Sequence, residues 1–281
     1  ARGILHRWQP QVVLGMGGFA AGAGGIAALW QRIPLVIHEQ NAVAGLTNRI
    51  LARFADRTLS AFADAFPARI QVDVVGNPVR DELYQQPSVA ERRAQRAPDT
   101  PLRLLVLGGS LGAQALNEVI PLALTHLTRP VQVLHQAGRG KTEQTRAIYQ
   151  AQQVHADVVP FISDMAAAYA AADLVICRSG ALTVAELTAV GCAAILVPYP
   201  HAVDDHQTRN AQALVQAGGA ILIQQKDLTP EHLAARLEPL ITSPDRRQQI
   251  ATQARTLAQP QAATQIAAAC LQAATSMRTS A

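Results

Sequence analysis

A chain of 281 residues, 49% of them apolar, with few aromatics and a formal net charge of +4, is long enough for two ordinary domains and too apolar to be disordered. Its Lys and Arg residues do not cluster with interleaved aromatics, so the basic balance points to a phosphorylated ligand or an acidic membrane surface, not to nucleic acid. Cys177, Cys192 and Cys270 sit in apolar settings without disulfide or metal-ligand spacing and read as core residues of a reducing cytoplasm.

Residues 10–14 predict a strand, entered almost at once after Ala1; a chain that starts there without methionine or signal peptide is expected to lack sequence upstream. Gly15, Met16, Gly17 and Gly18 follow, then a small-residue helix. The apolar stretch 17–30 is too short and too rich in glycine to cross a membrane. A second strand, 34–38, runs into Glu39, Gln40 and Asn41. Two readings compete here. Gly15, Gly17 and Ala20 fit the dinucleotide pattern, with Glu39 where that fingerprint wants an acid, which is the case for an NAD-dependent oxidoreductase. Against it, Gly22, Gly24 and Gly25 crowd the helix at about 1 kcal/mol each relative to alanine, favouring close approach of a bulky ligand or partner. A helix at 45–54 and strands at 57–60 and 72–75 continue the alternation to Gly76, Asn77 and Pro78. The polar, proline-bearing segment 81–101 marks a domain boundary.

A second α/β series follows: strand 103–107, a glycine loop at 108–112, helix 113–120, strands 131–135 and 156–159, and helix 166–171 with Asp164 as N-cap. The most informative unit comes next. Strand 173–177, a turn at Ser179 and Gly180, helix 181–190 stopped by Gly191, and strand 193–197 place a helix N-terminus at the carboxyl edge of a sheet, where a phosphate fits. Glu186, one to two turns inside, can accept hydrogen bonds from a ribose diol. His201, Asp204, Asp205, His206 and Gln207 follow on the next loop, without metal-ligand spacing. A helix at 210–217, a strand at 220–223 and an Ala-rich helical tail broken at Pro244 and Pro260 complete the chain.

Each candidate has an ordinary alternative. Ser110 in GGSLGA could donate to a phosphate or simply belong to a tight turn. Arg80 and Arg178 could be ligand cations or surface residues, and Asn41 a sugar contact or a turn residue. Phe161 could stack on a base or pack beside Ile162. His38 reads as structural. Two glycine-loop series imply two doubly wound domains facing across a cleft.

Together HEQNAVAGLTNR (38–49), GNPVR (76–80), GGSLGA (108–113), FISDMAAAYAAADLVICRSGALTVAEL (161–187) and VPYPHAVDDHQTRNA (197–211) closely resemble the MurG family. The resemblance implies a GT-B glycosyltransferase with two Rossmann-like domains: an incomplete acceptor-binding domain (1–79), a UDP-sugar-binding domain (80–258), and a final helix (259–281) packing back on the first. It implies inverting transfer of N-acetylglucosamine from UDP to the C4 hydroxyl of MurNAc in undecaprenyl-pyrophosphoryl-MurNAc-pentapeptide. That reaction takes place at the cytoplasmic face of the membrane, on a peripheral protein, with no cofactor or protein-bound metal; a divalent cation could still assist. By motif, the uracil lies near Phe161 and Ile162 with Arg80 close by. Ser110 and the turn Ala181, Leu182, Thr183 hold the diphosphate, Val184 and Ala185 line the donor, and Glu186 takes the ribose. Asn41 and Gln207 contact the N-acetylglucosamine; Gly15, Gly17, Gly18 and Gly22 face the acceptor diphosphate. The family's candidate base lies in an N-terminal loop absent here, so no catalytic base is named. The rivals are the NAD enzyme, a donor-binding fragment without turnover, and a UDP-N-acetylglucosamine epimerase.

Overall fold

The computed structural model describes residues 1–94, 100–109 and 111–276, with the backbone alone at Arg93 and Val203. The chain divides into two compact units, one of Ala1–Val79 with Gln259–Ala281 and one of Arg80–Ala258.

The first unit opens with a helix, α1 (Arg2–Trp8), where the sequence predicts direct entry into a strand. None of its side chains is buried, so no amphipathic pattern announced it. Strand β1 (Val13–Gly15), helix α2 (Gly18–Trp30), strand β2 (Leu35–Glu39), helix α3 (Leu46–Leu51) and strands β3 (Arg57–Ser60) and β4 (Asp73–Val74) follow. The four strands form a parallel sheet in the order β1-β2-β3-β4. Strand β2 is buried along its whole length, and the two-residue period of its side chains feeds two cores. Leu35 and Ile37 pack with Leu51 and Phe66, whereas Val36 points to the opposite face with Leu59 and Val75.

The second unit begins with α4 (Asp81–Tyr84) and α5 (Val89–Ala94), inside the segment that marks the domain boundary. Leu83 is buried there and Arg255 Nη2 donates to Tyr84 O at 2.8 Å, so the start of this segment belongs to the domain. Then come β5 (Leu102–Leu107), α6 (Gln114–Leu124), β6 (Val131–Gln136), α7 (Thr142–Ala151), β7 (Ala156–Val159), α8 (Met165–Ala171), β8 (Leu174–Cys177), α9 (Ala181–Val190), β9 (Ala194–Leu196), α10 (His206–Gln216) and β10 (Ile221–Leu222). Two further helices, α11 (Pro230–Thr242) and α12 (Pro244–Thr256), close the unit. Pro244 opens a helix, with Ser243 Oγ accepting from Arg246 N, because a missing N–H costs nothing in the first turn. The six parallel strands run β10-β9-β8-β5-β6-β7, the doubly wound order that reverses between β5 and β8. Leu104, Val106, Ile176 and Ile195 meet Leu116, Ile120, Leu233 and Leu237 in its main core.

A buried polar network braces this core. His135 Nδ1 lies 2.9 Å from Tyr149 Oη and Nε2 lies 3.0 Å from Asn117 Oδ1, while Asn117 Nδ2 donates to Ala137 O. The amide orientation therefore puts the imidazole proton on Nε2 and leaves Nδ1 to accept from the phenol. Burial holds the His135 pKa down to about 3 against an ordinary 6.5. The unfolded chain binds this proton first, so the stabilisation is complete above about pH 6.5 and is lost as pH falls toward 3. We expect the unfolding free energy of the wild type to drop across that window by up to about 1.4 kcal/mol per pH unit more steeply than that of His135→Gln. Parallel pH slopes in urea titrations would contradict it.

The chain returns to the first unit with α13 (Ala262–Ser276). Ile266, Ala269 and Ala273 complete the core around Val36, Leu59 and Val75.

Candidate functional site: the carboxyl edge of the second sheet

Ligands of open parallel sheets bind outside the carboxyl ends of the strands where the order reverses. Here that point lies between β5 and β8, whose ends are level, with Leu107 paired to Cys177. Two turns leave the sheet side by side.

The turn after β5 is shaped by glycines at Gly109 (φ 79°) and Gly112 (φ 71°), both in the left-handed region. A Cβ on Gly112 would lie 2.0 Å from Ala137 O, so the turns after β5 and β6 interlock backbone to backbone. Ser110, the expected phosphate donor, lies outside the described residues.

The turn after β8 leads into α9 through Gly180, which offers no side-chain cap. The positive end of the helix dipole thus lies at the crevice with no side chain of the N-cap residue over it. Ala181 and Val184 are buried, Thr183 and Ala185 half-buried, and Leu182 is exposed, so an anion would meet mainly backbone here. Ser179, fully buried, has an Oγ without a hydrogen-bond partner beside this terminus, and Asn210 Nδ2 donates to Ser179 O at 3.2 Å, tying α10 to the turn.

Glu186 lies in the second turn of α9, and Tyr169 Oη of α8 donates to its Oε2 at 3.0 Å. Burial raises the Glu186 pKa, while the Tyr169 hydroxyl and the positive charge of Arg80 oppose the rise. Arg80, the exposed N-cap residue of α4, is thereby brought near Glu186, far from it in sequence. Phe161 follows β7 and is 56% exposed, open for stacking; Ile162 beside it is buried. Asp164 caps α8 by accepting from Ala167 N at 2.9 Å.

Helix α10 starts at His206, a turn earlier than expected, because Asp204 and Asp205 both take left-handed backbone and swing the chain sharply. Gln207 therefore sits in the first turn, where its Oε1 accepts from Tyr199 N at 2.9 Å. Arg178 is a brace for this loop: Nη1 donates to Val197 O and Pro198 O at 3.0 Å, Nη2 donates to Gln225 Oε1, and the guanidinium lies over the Tyr199 ring. Among the described residues no three His, Cys, Asp or Glu side chains gather into a metal site.

In the first unit Glu39 is consumed by its own loop. Its Oε1 accepts from Asn41 N (2.9 Å) and Asn41 Nδ2 (3.2 Å), and its Oε2 from Asn48 Nδ2 (2.8 Å) and Gly45 N (3.2 Å). A carboxylate so occupied cannot also take a ribose diol, which corrects the NAD reading. Two of the helix glycines also serve packing. A Cβ on Gly25 would meet Leu51 Cδ1 at 2.7 Å and one on Gly22 would meet Thr47 Cγ2 at 3.3 Å, so their smallness lets α2 lie close to α3. Gly15 lies in β1, its Cβ position 3.4 Å from Ile37, while Gly17 and Gly18 turn the chain into α2 with φ near 79° and 76°. His38 is buried, with Nε2 2.8 Å from Gly76 O and Nδ1 3.2 Å from Gln40 Nε2. Desolvation lowers its pKa, as expected of a structural histidine.

Tyr169, Ser179 and Asn210 were not singled out from sequence. Tyr169 carried one signal, as the single large aromatic in the small-residue helix MAAAYAA.

Comparison with known proteins agrees with this geometry. The glycosyltransferase family 28 C-terminal domain matches residues 103–266 and the family 28 N-terminal domain residues 1–60. A UDP-N-acetylglucosamine–N-acetylmuramyl-(pentapeptide) pyrophosphoryl-undecaprenol N-acetylglucosamine transferase of Alkalilimnicola ehrlichii is 53% identical over 97% of this chain and 76% of its own length. The transferase of the same name from Pseudomonas aeruginosa is 51% identical over 96% of this chain and 75% of its own. The crystal structure of Acinetobacter baumannii MurG superposes with a TM-score of 0.85 at 42% identity, covering 96% of this chain and 76% of that one. A UDP-GlcNAc 2-epimerase from Neisseria meningitidis, at 15% identity and a TM-score of 0.64, shares the fold alone. With two sheets of the GT-B plan, both family 28 domains and half of its residues shared with these transferases, the chain belongs to the MurG family of glycosyltransferases.

Proposed function

We propose that this chain transfers N-acetylglucosamine from UDP-N-acetylglucosamine to the C4 hydroxyl of MurNAc in undecaprenyl-pyrophosphoryl-MurNAc-pentapeptide. The observation that carries the reading is the N-terminus of α9 at the switch point, where Gly180 supplies no side-chain cap, with the Glu186 carboxylate fixed in its second turn. An anion-binding helix end and an acceptor of hydroxyl protons on the same helix suit a nucleotide diphosphate. The acceptor oxygen attacks the anomeric carbon as the bond to the diphosphate breaks, with inversion. The α9 dipole then stabilises the charge gathering on the departing UDP.

In this reading 80–258 is the donor domain, and 1–79 with the last helix the acceptor domain. Phe161, Ile162 and Arg80 hold the uracil. Ser110, Ala181, Leu182 and Thr183 hold the diphosphate, with Val184 and Ala185 behind them, and Glu186 takes the ribose. Asn41 and Gln207 serve the sugar, and the segment of Gly15, Gly17, Gly18 and Gly22 the acceptor diphosphate. The acceptor's lipid calls for a membrane surface. No helix among the described residues is long and apolar enough to cross one. The first unit instead exposes Ile4, Trp8, Phe19, Ile26 and Trp30 on α1 and α2 and Phe54 in the turn after α3, together with Arg2, Arg7 and Arg53. Arg2 lies over the Trp30 ring, which joins α1 to α2. Apolar side chains beside arginines suit peripheral binding to an anionic leaflet.

Calorimetric titration with UDP-N-acetylglucosamine, UDP and NADH tests the assignment. We expect both uridine ligands to bind and NADH to leave no heat. In Gln207→Ala the affinity for UDP-N-acetylglucosamine should fall about tenfold while that for UDP stays within about twofold. Equal losses for both ligands would remove Gln207 from the sugar, and a folded chain that binds no uridine ligand would overturn the reading.

A further inference from the structure

Resting on the assignment of Glu186 to the ribose, we propose that Tyr169 is a positioning residue through which the site selects an intact ribose diol, without touching the nucleotide itself. Tyr169 is fully buried, and its Oη donates to Glu186 Oε2 at 3.0 Å. The backbone at the root of that side chain is pinned in turn. Arg92 Nη1 donates to Tyr169 O at 2.9 Å, Cys192 Sγ approaches the same carbonyl at 3.6 Å, and Arg92 Nη2 donates to Gly191 O at 3.0 Å. One guanidinium thus ties the C-terminal ends of α8 and α9 together, so the phenol and the carboxylate keep a common frame.

The chemical consequence concerns protonation and aim. Only an ionised carboxylate accepts from both hydroxyls of a diol, and partial burial works against ionisation. The phenol opposes that loss by donating to Oε2, and its own pKa is raised well above the ordinary value, so it remains a donor throughout the working range. Arg80 supplies the other favourable influence, through charge alone. With Oε2 engaged by the phenol, Oε1 and the remaining lone pair of Oε2 are what the carboxylate has left for the diol. Tyr169→Phe keeps the ring and removes this one donor. An alternative in which Glu186 merely satisfies a buried hydroxyl predicts lost stability but no change in ligand preference.

The test titrates wild type and Tyr169→Phe with UDP and with its 2′-deoxy analogue between about pH 5 and pH 8. The wild type should prefer UDP by about tenfold or more. In Tyr169→Phe we expect UDP to bind about tenfold more weakly, the deoxy analogue to change by less than about threefold, and the pH below which UDP affinity is lost to move upward. Fluorotyrosine at position 169, a stronger donor of nearly the same shape, should move that pH downward and covers the case in which Tyr169→Phe does not fold. Equal losses for the two ligands, or an unmoved pH profile in both variants, would overturn the role of Tyr169. A wild type that does not distinguish the two ligands would instead overturn the ribose assignment of Glu186, and the present inference with it.

Discussion

Gly112→Ala is expected to destabilise the second unit by about 4 kcal/mol or more, among the largest effects a single methyl can have. Two costs combine. The residue has φ 71°, where an L side chain loses roughly 1–2 kcal/mol. The new Cβ would also meet Ala137 O at 2.0 Å and Ala137 C at 3.0 Å, and both are backbone atoms that cannot rotate away. Ala137 O is moreover the acceptor of Asn117 Nδ2, so moving it disturbs the network that carries His135 and Tyr149. Gly140 provides the control, with φ 75° but open space around its Cβ position. Gly140→Ala should cost only the backbone preference, about 1–2 kcal/mol. Urea unfolding followed by far-ultraviolet circular dichroism measures both; similar losses in the two variants would show that the interlocked turns relax freely.

Glu186→Ala should leave the fold intact and weaken UDP binding by about a hundredfold or more, since hydrogen bonds to a charged acceptor are worth roughly 1.5–3 kcal/mol each and a diol makes two. Truncation also strands the Tyr169 hydroxyl in a buried position, so a modest loss of stability, about 1–2 kcal/mol, should accompany it. Glu186→Gln separates the two effects: its amide oxygen can still accept from Tyr169 and restore stability, while the uncharged group binds the diol poorly. Calorimetry of UDP with both variants decides. Unchanged affinity in Glu186→Ala would take Glu186 out of the site.

The β8–α9–β9 unit was legible because each part is dictated locally. LVIC is a short aliphatic run, Ser179 and Gly180 break it, and Gly191 accepts the left-handed backbone that ends the helix. Glu186 could be picked out by its offset from that turn alone. What sequence could not supply were partners distant along the chain. Nothing near Glu186 announces the Tyr169 hydroxyl, and nothing near Arg178 announces Val197, Pro198 and Gln225, which make it a brace. Glu39 shows the same limit in reverse. Its place at a strand end fits a dinucleotide fingerprint, and only the fold of residues 41–48 around its carboxylate withdraws it from ligand chemistry. The glycines of α2 advertised a close approach without naming what approaches; at Gly25 it is Leu51 of α3 and at Gly22 it is Thr47. Helix α1 escaped notice because a helix with no buried face leaves no periodic trace.

The first unit is built from two stretches, Ala1–Val79 and Gln259–Ala281, with all of Arg80–Ala258 threaded between them. Ile266, Ala269 and Ala273 fill one side of its sheet, so that core has no lid until the final helix has left the ribosome. The second unit suffers no such delay, because it is continuous in sequence and can close while synthesis is still under way. Once it has, its folded body replaces a long floppy loop by a compact spacer, which lowers the entropy lost when the last helix finds β2 and β3. Vectorial synthesis thus imposes an order on the molecule: the inserted unit matures first, and the unit that begins the chain is the last to be finished.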